Sequence, residues 1–340
     1  MRATLSQNKA CHGSRPKPGW LVGVLFTLTI MCSFAANADP INVFFLLSKP
    51  TADYLDVLST VQRELTEKFP DKYNYTLEFV SAPSSANPTA SADLIVTIGT
   101  AAAERAYEYK TLQPRAPKLK PETPVISVLI TDSSFAALAR QYFGSVEQAF
   151  ARQVSSICIG QPTSRSIQLA KLLLPRATKA GLMLGPSSTD KQQELAKVTS
   201  DESMTAEFVT ISANDNPINK IEPVMRGNDV FIPVPDSRLI NLATAKWILH
   251  LSYRHKVPVI AFSRTYVRAG ALAAIYSSPQ NVAEQAVEWI TDADLVGGSI
   301  GQSYGPKYYS MHFNYSVAAS LNVVVEKEQF YRDQMQTGNR

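Results

Sequence analysis

The sequence predicts an α/β protein made of two halves, each a parallel sheet flanked by helices, and three observations lead there. Short uncharged apolar runs recur along the chain, among them Ile41–Leu47, Leu94–Ile98, Val125–Ile130, Val230–Val234 and Val257–Ala261. Runs without polar alternation belong to strands buried on both faces, as strands of parallel sheets are. Helical patterns stand between them, so strand and helix alternate. The alternation also falls into two series, one starting after Asp39 and the other near Ser155.

In the first series, Ile41–Leu47 is a buried strand, and Lys49-Pro50-Thr51 opens a helix with Tyr54, Leu55, Leu58, Val61 and Leu65 on its apolar face. Tyr75–Val80 alternates like an edge or half-buried strand. A Ser/Pro/Ala loop over 81–91 leads to the buried strand Leu94–Ile98, and Gly99-Thr100 enters a helix over 101–109. Residues 113–124 hold four prolines and read as loop. Val125–Ile130 follows, ending at Thr131-Asp132-Ser133 before another helix.

The second series contains Ile157-Cys158-Ile159, a helix with Ile167, Leu169, Ala170 and Leu173 inward, and a strand over Gly181–Leu184. After it come the turn Gly185-Pro186-Ser187-Ser188, a helix over 190–198, and strands at Glu207–Ile211 and Val230–Val234. A long helix over 239–255 delivers the chain to Val257. The stretch from Lys256 to Ile290 organises the rest. Its two apolar runs, Val257–Ala261 and Ala271–Tyr276, are joined by only about eight polar residues, whereas a parallel crossover needs a dozen or more. The runs therefore form a hairpin or belong to different sheets, and their apolar character favours different sheets. Residues 263–270 then act as a hinge. Further crossings are expected near Gln153–Ser156 and Leu295–Lys307, which gives halves of 39–154 plus 264–295 and 155–263 plus 296–340. The end of the chain runs through Tyr308–Phe313 into a helix around Val317–Val325.

The first 38 residues differ from the rest. Arg2, Lys9, Arg15 and Lys17 precede the uncharged run Trp20–Phe34, and Ala36-Asn37-Ala38 stands before Asp39. A basic head, an apolar centre and an A-x-A site make a cleavable secretory signal peptide over 1–38, cut after Ala38, which sends the protein to the periplasm. The apolar run, about 15 residues, is short of the roughly 20 that span a bilayer. Cys32 suggests a lipid attachment site, but the bulky Met31 precedes it. Losing the leader removes four basic residues and no acidic one, so the formal charge of +4 falls to zero. No electrostatic footprint for nucleic acid remains. Cys158 is then the one cysteine left, flanked by Ile157 and Ile159. It reads as a core residue with no disulfide-linked partner. Ordinary composition, 45% hydrophobic and 18% charged, belongs to a globular protein.

Most enzyme signatures are absent: the chain has no P-loop, C-x-x-C, H-E-x-x-H or G-x-G-x-x-G. His250 and His255 are five apart on one helix, off a common face, so no metal site is expected, and no cofactor or catalytic residue is assigned. Polar residues and glycines do recur where buried strands end. Ligands of open α/β sheets bind beyond those ends, and helices starting there present unpaired N–H groups. Each such residue can equally be a plain helix cap; together they describe a polar-lined cleft between two halves. The expected ligand contacts are Thr51, Gly99, Thr100, Ala101, Thr131, Asp132, Ser187, Asp236, Tyr266 and Tyr276. Gly99 allows close approach, and Ala101 and Ala102 leave their N–H groups uncovered, so a ligand carboxylate is expected at Thr100. Asp132 and Asp236 are expected to face each other across the cleft, at least one of them meeting a cationic group.

The segments ADLIVTIGTAAAERA, PVISVLITDSS, QPTSRSIQLAKLLLPRATKAGLMLGPSS, VFIPVPDS and KVPVIAFSRTYVRAGALAAIYSSP resemble the periplasmic substrate-binding components of ABC transporters, a group with tryptophan- and tyrosine-binding members. The resemblance covers nearly all of 41–325. It implies a two-lobed periplasmic-binding-protein fold of type I-like kind with three hinge crossovers. It also implies a monomer without enzymatic activity, which captures a small molecule such as an aromatic amino acid and delivers it to an ABC permease in the inner membrane. A binding module that serves a membrane sensor is the alternative. Ser133 stands where that group commonly has Pro, and Arg264, Tyr266 and Arg268 make the second crossing bulky and basic.

Overall fold

The structure is a computed structural model describing residues 39–81, 92–111, 122–212, 215–236, 242–292 and 305–337. The expected signal peptide over 1–38 lies outside the described residues. Strand β1 (Ile41–Leu47) is followed by helix α1 (Ala52–Lys68), β2 (Tyr73–Phe79), β3 (Leu94–Ile98), α2 (Thr100–Thr111), β4 (Val125–Ile130), α3 (Asp132–Phe143), α4 (Val146–Ala151) and β5 (Val154–Cys158). Then come α5 (Thr163–Leu173), β6 (Lys179–Leu184), α6 (Gln192–Asp201), β7 (Thr205–Thr210), α7 (Pro217–Gly227), β8 (Val230–Pro233), α8 (Leu242–His255) and β9 (Ile260–Ala261). The chain ends with α9 (Arg264–Ala269), β10 (Ala273–Tyr276), α10 (Pro279–Asp292), β11 (Ser310–Phe313), α11 (Tyr315–Ser320) and α12 (Glu328–Thr337). No helix among the described residues is long and apolar enough to cross a membrane.

The first sheet has the order β2-β1-β3-β4-β5, all parallel. Its apolar runs are continuous because successive side chains feed two cores. Val43, Phe45 and Leu47 join a core closed by α1 and by Val282, Ala286, Val287 and Ile290 of α10. Phe44 and Leu46 join the opposite core, with Ala102, Ala106 and Tyr107 of α2 and Phe135 and Ala139 of α3. β2 pairs with β1 alone, so Leu77 on its outer face stays 43% exposed, as the alternating pattern anticipates.

The second half repeats this order. β7-β6-β8 form one ladder, and a single bridge from Phe231 to Val259 carries it on to β9, β10 and the antiparallel β11. Leu182, Leu184, Ile232 and Ile275 face a core with α5, α6 and Tyr331 and Met335 of α12. Met183, Phe231 and Ala274 face α7, α8 and α9.

Three expectations about the crossings change. β5 pairs in parallel with β4, so Val154–Cys158 completes the first sheet and the chain leaves it at Ile159–Pro162, after the expected Gln153–Ser156. β9 and β10 are parallel neighbours in one sheet, with Ala273 opposite Ile260, so the two apolar runs form neither a hairpin nor a change of sheet. Pairing begins only at Ala273, which lengthens the connection to Phe262–Leu272, enough for the short helix α9 to make the crossover. Ser263–Gly270 is therefore a helix inside the second half. The second crossing falls at Ser277–Ser278, between β10 and α10. The third lies between Asp292 and Ser310, in the expected region, though its residues 293–304 are outside the described ones.

One buried side chain holds these crossings together. Gln161, 8% exposed on the first crossing, donates from Nε2 to Ser277 Oγ on the second at 2.7 Å and to the Tyr308 carbonyl on the third at 2.9 Å. Arg165 donates to its Oε1 and so fixes which way the amide points. On the other side of the third crossing, Gln285 of α10 donates to the Gly305 carbonyl and accepts from the Lys307 N–H at 2.8 Å. Gln161→Met keeps the volume but leaves the Tyr308 carbonyl and the Ser277 hydroxyl without this partner. It is expected to lower unfolding stability in urea by about 1–3 kcal/mol; an unchanged midpoint would mean that the tie contributes nothing.

Candidate ligand-binding cleft

Parallel strands share a direction, so the loops after β1, β3, β4 and β5 gather at one end of the first sheet, and those after β6, β8, β9 and β10 at one end of the second. In each sheet the order reverses beside the first strand of the half, between β1 and β3 and between β6 and β8. That reversal opens a crevice at the strand ends, where ligands of such sheets sit.

Both crevices are braced by a glycine and a hydroxyl. In the first half Gly99 has φ +91° and is buried, and a Cβ there would lie 2.6 Å from the Tyr54 hydroxyl and 2.7 Å from Ser48 Oγ. Ser48 Oγ in turn accepts the Ala102 N–H at 2.9 Å. The N–H expected to be open to a ligand carboxylate is thus taken by Ser48. Thr100 and Ala101 remain exposed at the start of α2. In the second half a Cβ on Gly185 would lie 2.5 Å from the Asp236 carboxylate carbon. Asp236 is 6% exposed, and its Oδ2 accepts from the Ser187 N–H at 2.8 Å and the Ser188 hydroxyl at 3.0 Å.

A cavity of about 430 Å³ opens between the halves, lined by Asp132 and Cys158 from the first, by Pro162, Lys191 and Glu194 from the second, and by Gly305 and Pro306 from the third crossing. Asp132 lines it, whereas Asp236, expected to face Asp132 across the cleft, is buried and is not among the lining residues. Opposite Asp132 stands Lys191, with Nζ 3.4 Å from Oδ2 and both side chains nearly half exposed. An exposed pair of this kind contributes about 0–1 kcal/mol, so a solute can displace it at little cost. Burial pushes the Cys158 thiol up to about 12, which keeps it protonated and unreactive at neutral pH although it borders the cavity.

The remaining expected contacts are scattered. Thr131 caps α3 by accepting the Ser134 N–H at 3.1 Å. Thr51 occupies the N-cap of α1 without a side-chain capping bond. Ser187 is exposed on its turn. Tyr266, 6% exposed, packs with Phe262 in the second core, and Tyr276 is half-buried against that core. Lys191 and Glu194, which line the cavity, carry no sequence motif and were not anticipated. No group of acidic, histidine or cysteine residues among the described residues is arranged to hold a metal ion.

No protein-family model matches the chain, and no curated protein matches it. Solved structures do. A ligand-free, open substrate-binding protein with adhesive properties from Clostridium difficile is 16% identical over 85% of this chain and 97% of its own, with a TM-score of 0.60. An ABC domain in complex with L-Trp from Streptococcus pneumonia is 16% identical over 84% of this chain and 96% of its own, with a TM-score of 0.50. The XylFII–LytSN complex matches at 15% identity over 82% of this chain and 100% of its own, also with a TM-score of 0.50. Identities this low show the fold alone: the two-lobed, type I periplasmic-binding-protein arrangement.

The geometry gives Asp236 a structural task in bracing the turn after β6. Asp236→Asn loses the charge on a buried acceptor of two hydrogen bonds and is expected to lower unfolding stability by about 1–3 kcal/mol. Urea denaturation reads this; wild-type stability would show that the turn holds without the carboxylate.

Proposed function

We propose that this protein is the solute-binding component of an ABC importer, exported by its leader to the periplasm, where it captures a small polar molecule between its lobes. The observation that supports the reading is the repeated strand order together with a charged cavity between the two halves, bounded by chain crossings. Asp132 and Lys191 meet opposite ends of a dipolar or zwitterionic solute, and Thr100, exposed at the start of α2, is a further contact in this reading. The aromatic amino acid suggested by the family resemblance fits this charge pattern through its ammonium and carboxylate. The XylFII–LytSN complex supports a second reading, in which ligand occupancy is passed to a partner other than a permease.

Amino acids, sugars and small organic acids added singly to the mature protein test the proposal by thermal shift and calorimetry. One class is expected to raise stability saturably, by about 2–3 kcal/mol at a hundredfold excess over its Kd. Asp132→Asn is expected to weaken that binding about tenfold, the loss of a charge-assisted contact, with an unchanged melting temperature. Stabilisation by none of the classes, or full affinity in both Asp132→Asn and Thr100→Val, would remove the cleft as the binding site.

A further inference from the structure

A second crevice, about 260 Å³, lies between α5, α12 and the residues leading into β11, outside the cleft cavity. Its lining brings together Arg165, Lys307 and Arg332 with the amides of Gln168 and Gln336 around Tyr309, and includes no carboxylate residue. Two of the cations are neutralised from its rim. The Lys307 ammonium is 2.8 Å from Glu288, and Arg332 pairs with Glu328. Arg165 is not. Its guanidinium donates to Gln161 Oε1, to the Pro306 carbonyl at 3.0 Å and weakly to the Lys307 carbonyl at 3.4 Å, all neutral acceptors. No ion pair of Arg165 occurs among the described residues. Burial pulls its guanidinium below the usual arginine range. Partly desolvated charges in proteins normally have a counter-charge.

The arrangement also concentrates donors. The guanidinium carbons of Arg165 and Arg332 lie 4.8 and 5.2 Å from the centre of the same Tyr309 ring, so two like charges share one platform. A guanidinium has five N–H donors. Arg332 uses only the Tyr309 carbonyl and Glu328, and the Gln168 amide has no hydrogen bond among the described residues. Guanidinium forks match the paired oxygens of phosphate and carboxylate. We infer that this crevice is a binding site for a small multivalent oxyanion, seated between Arg165 and Arg332 and reached by Gln168.

The test uses the mature protein, titrated with inorganic phosphate in one arm and citrate in another, each against sodium chloride at equal ionic strength, and followed by amide NMR. A saturable shift of the resonances of 165–168, 307–309 and 332–336 is expected in at least one arm. Phosphate alone identifies a tetrahedral anion, citrate alone a polycarboxylate, and both a general oxyanion site. Arg332→Gln is expected to weaken binding about tenfold, the loss of one charge-assisted hydrogen bond. Gln168→Leu, at a half-buried position lining the crevice, tests the site without touching an ion pair and is expected to weaken binding severalfold. Asp132→Asn, in the cleft, should leave anion binding unaltered, which separates this site from the solute site. Absence of saturable shifts in both arms, or full affinity in both crevice variants, would overturn the assignment.

Discussion

The chain passes between its two halves three times, and the Gln161 amide bonds from the first passage to the second and the third. A buried amide with two donors and an acceptor can do this only if all its partners stand in place, because an unpaired polar group there costs on the order of 1–3 kcal/mol. The tie fixes where the passages meet while leaving each sheet with its own cores. Asn281 adds a similar contact, accepting from Ser310 Oγ at 2.8 Å and so joining α10 of one half to β11 of the other. The cavity lies where these constraints leave space, beyond the strand ends and between the two halves.

Inside that space the two halves use the same device in different residues. A glycine lets a neighbouring loop approach too closely for any side chain, and a hydroxyl then ties the loop down. Ser48 does so for Gly99, and Ser188 for Gly185, with the Asp236 carboxylate as its acceptor. Most of the polarity at the strand ends is thereby spent on holding the loops. What stays open to a solute is a smaller set: the exposed Thr100, and Asp132 and Lys191, bound to each other only by an exposed ion pair.

The sequence made three strands of the first sheet legible to the residue, since Ile41–Leu47, Leu94–Ile98 and Val125–Ile130 are apolar on both faces and bounded by polar turns. Sheet membership was less legible. Val154–Cys158 contains Ser155 and Ser156, both buried, and no periodicity states which neighbour a strand takes. Helix α9 reads in sequence as a hinge because six residues with only Tyr266 and Val267 buried show no apolar stripe. Helix α12 was missed, although the four-residue spacing of Tyr331 and Met335, its buried pair, could have revealed it. At the site, residues at strand ends were found but their roles were not, since a capping Thr131 and a ligand-binding one look alike in sequence. Gln161 and Lys191 escaped for another reason. The partners that give them their roles are remote along the chain, 116 residues away for Gln161 and Ser277 and 59 for Lys191 and Asp132, and nothing local marks them.

Whether the cleft holds a solute is measured most directly by native mass spectrometry of freshly purified protein. A single small molecule at one per chain, released on unfolding and absent from protein carrying both Thr100→Val and Asp132→Asn, is the predicted result. Protein that stays ligand-free both as isolated and after incubation with a whole metabolite extract would contradict it.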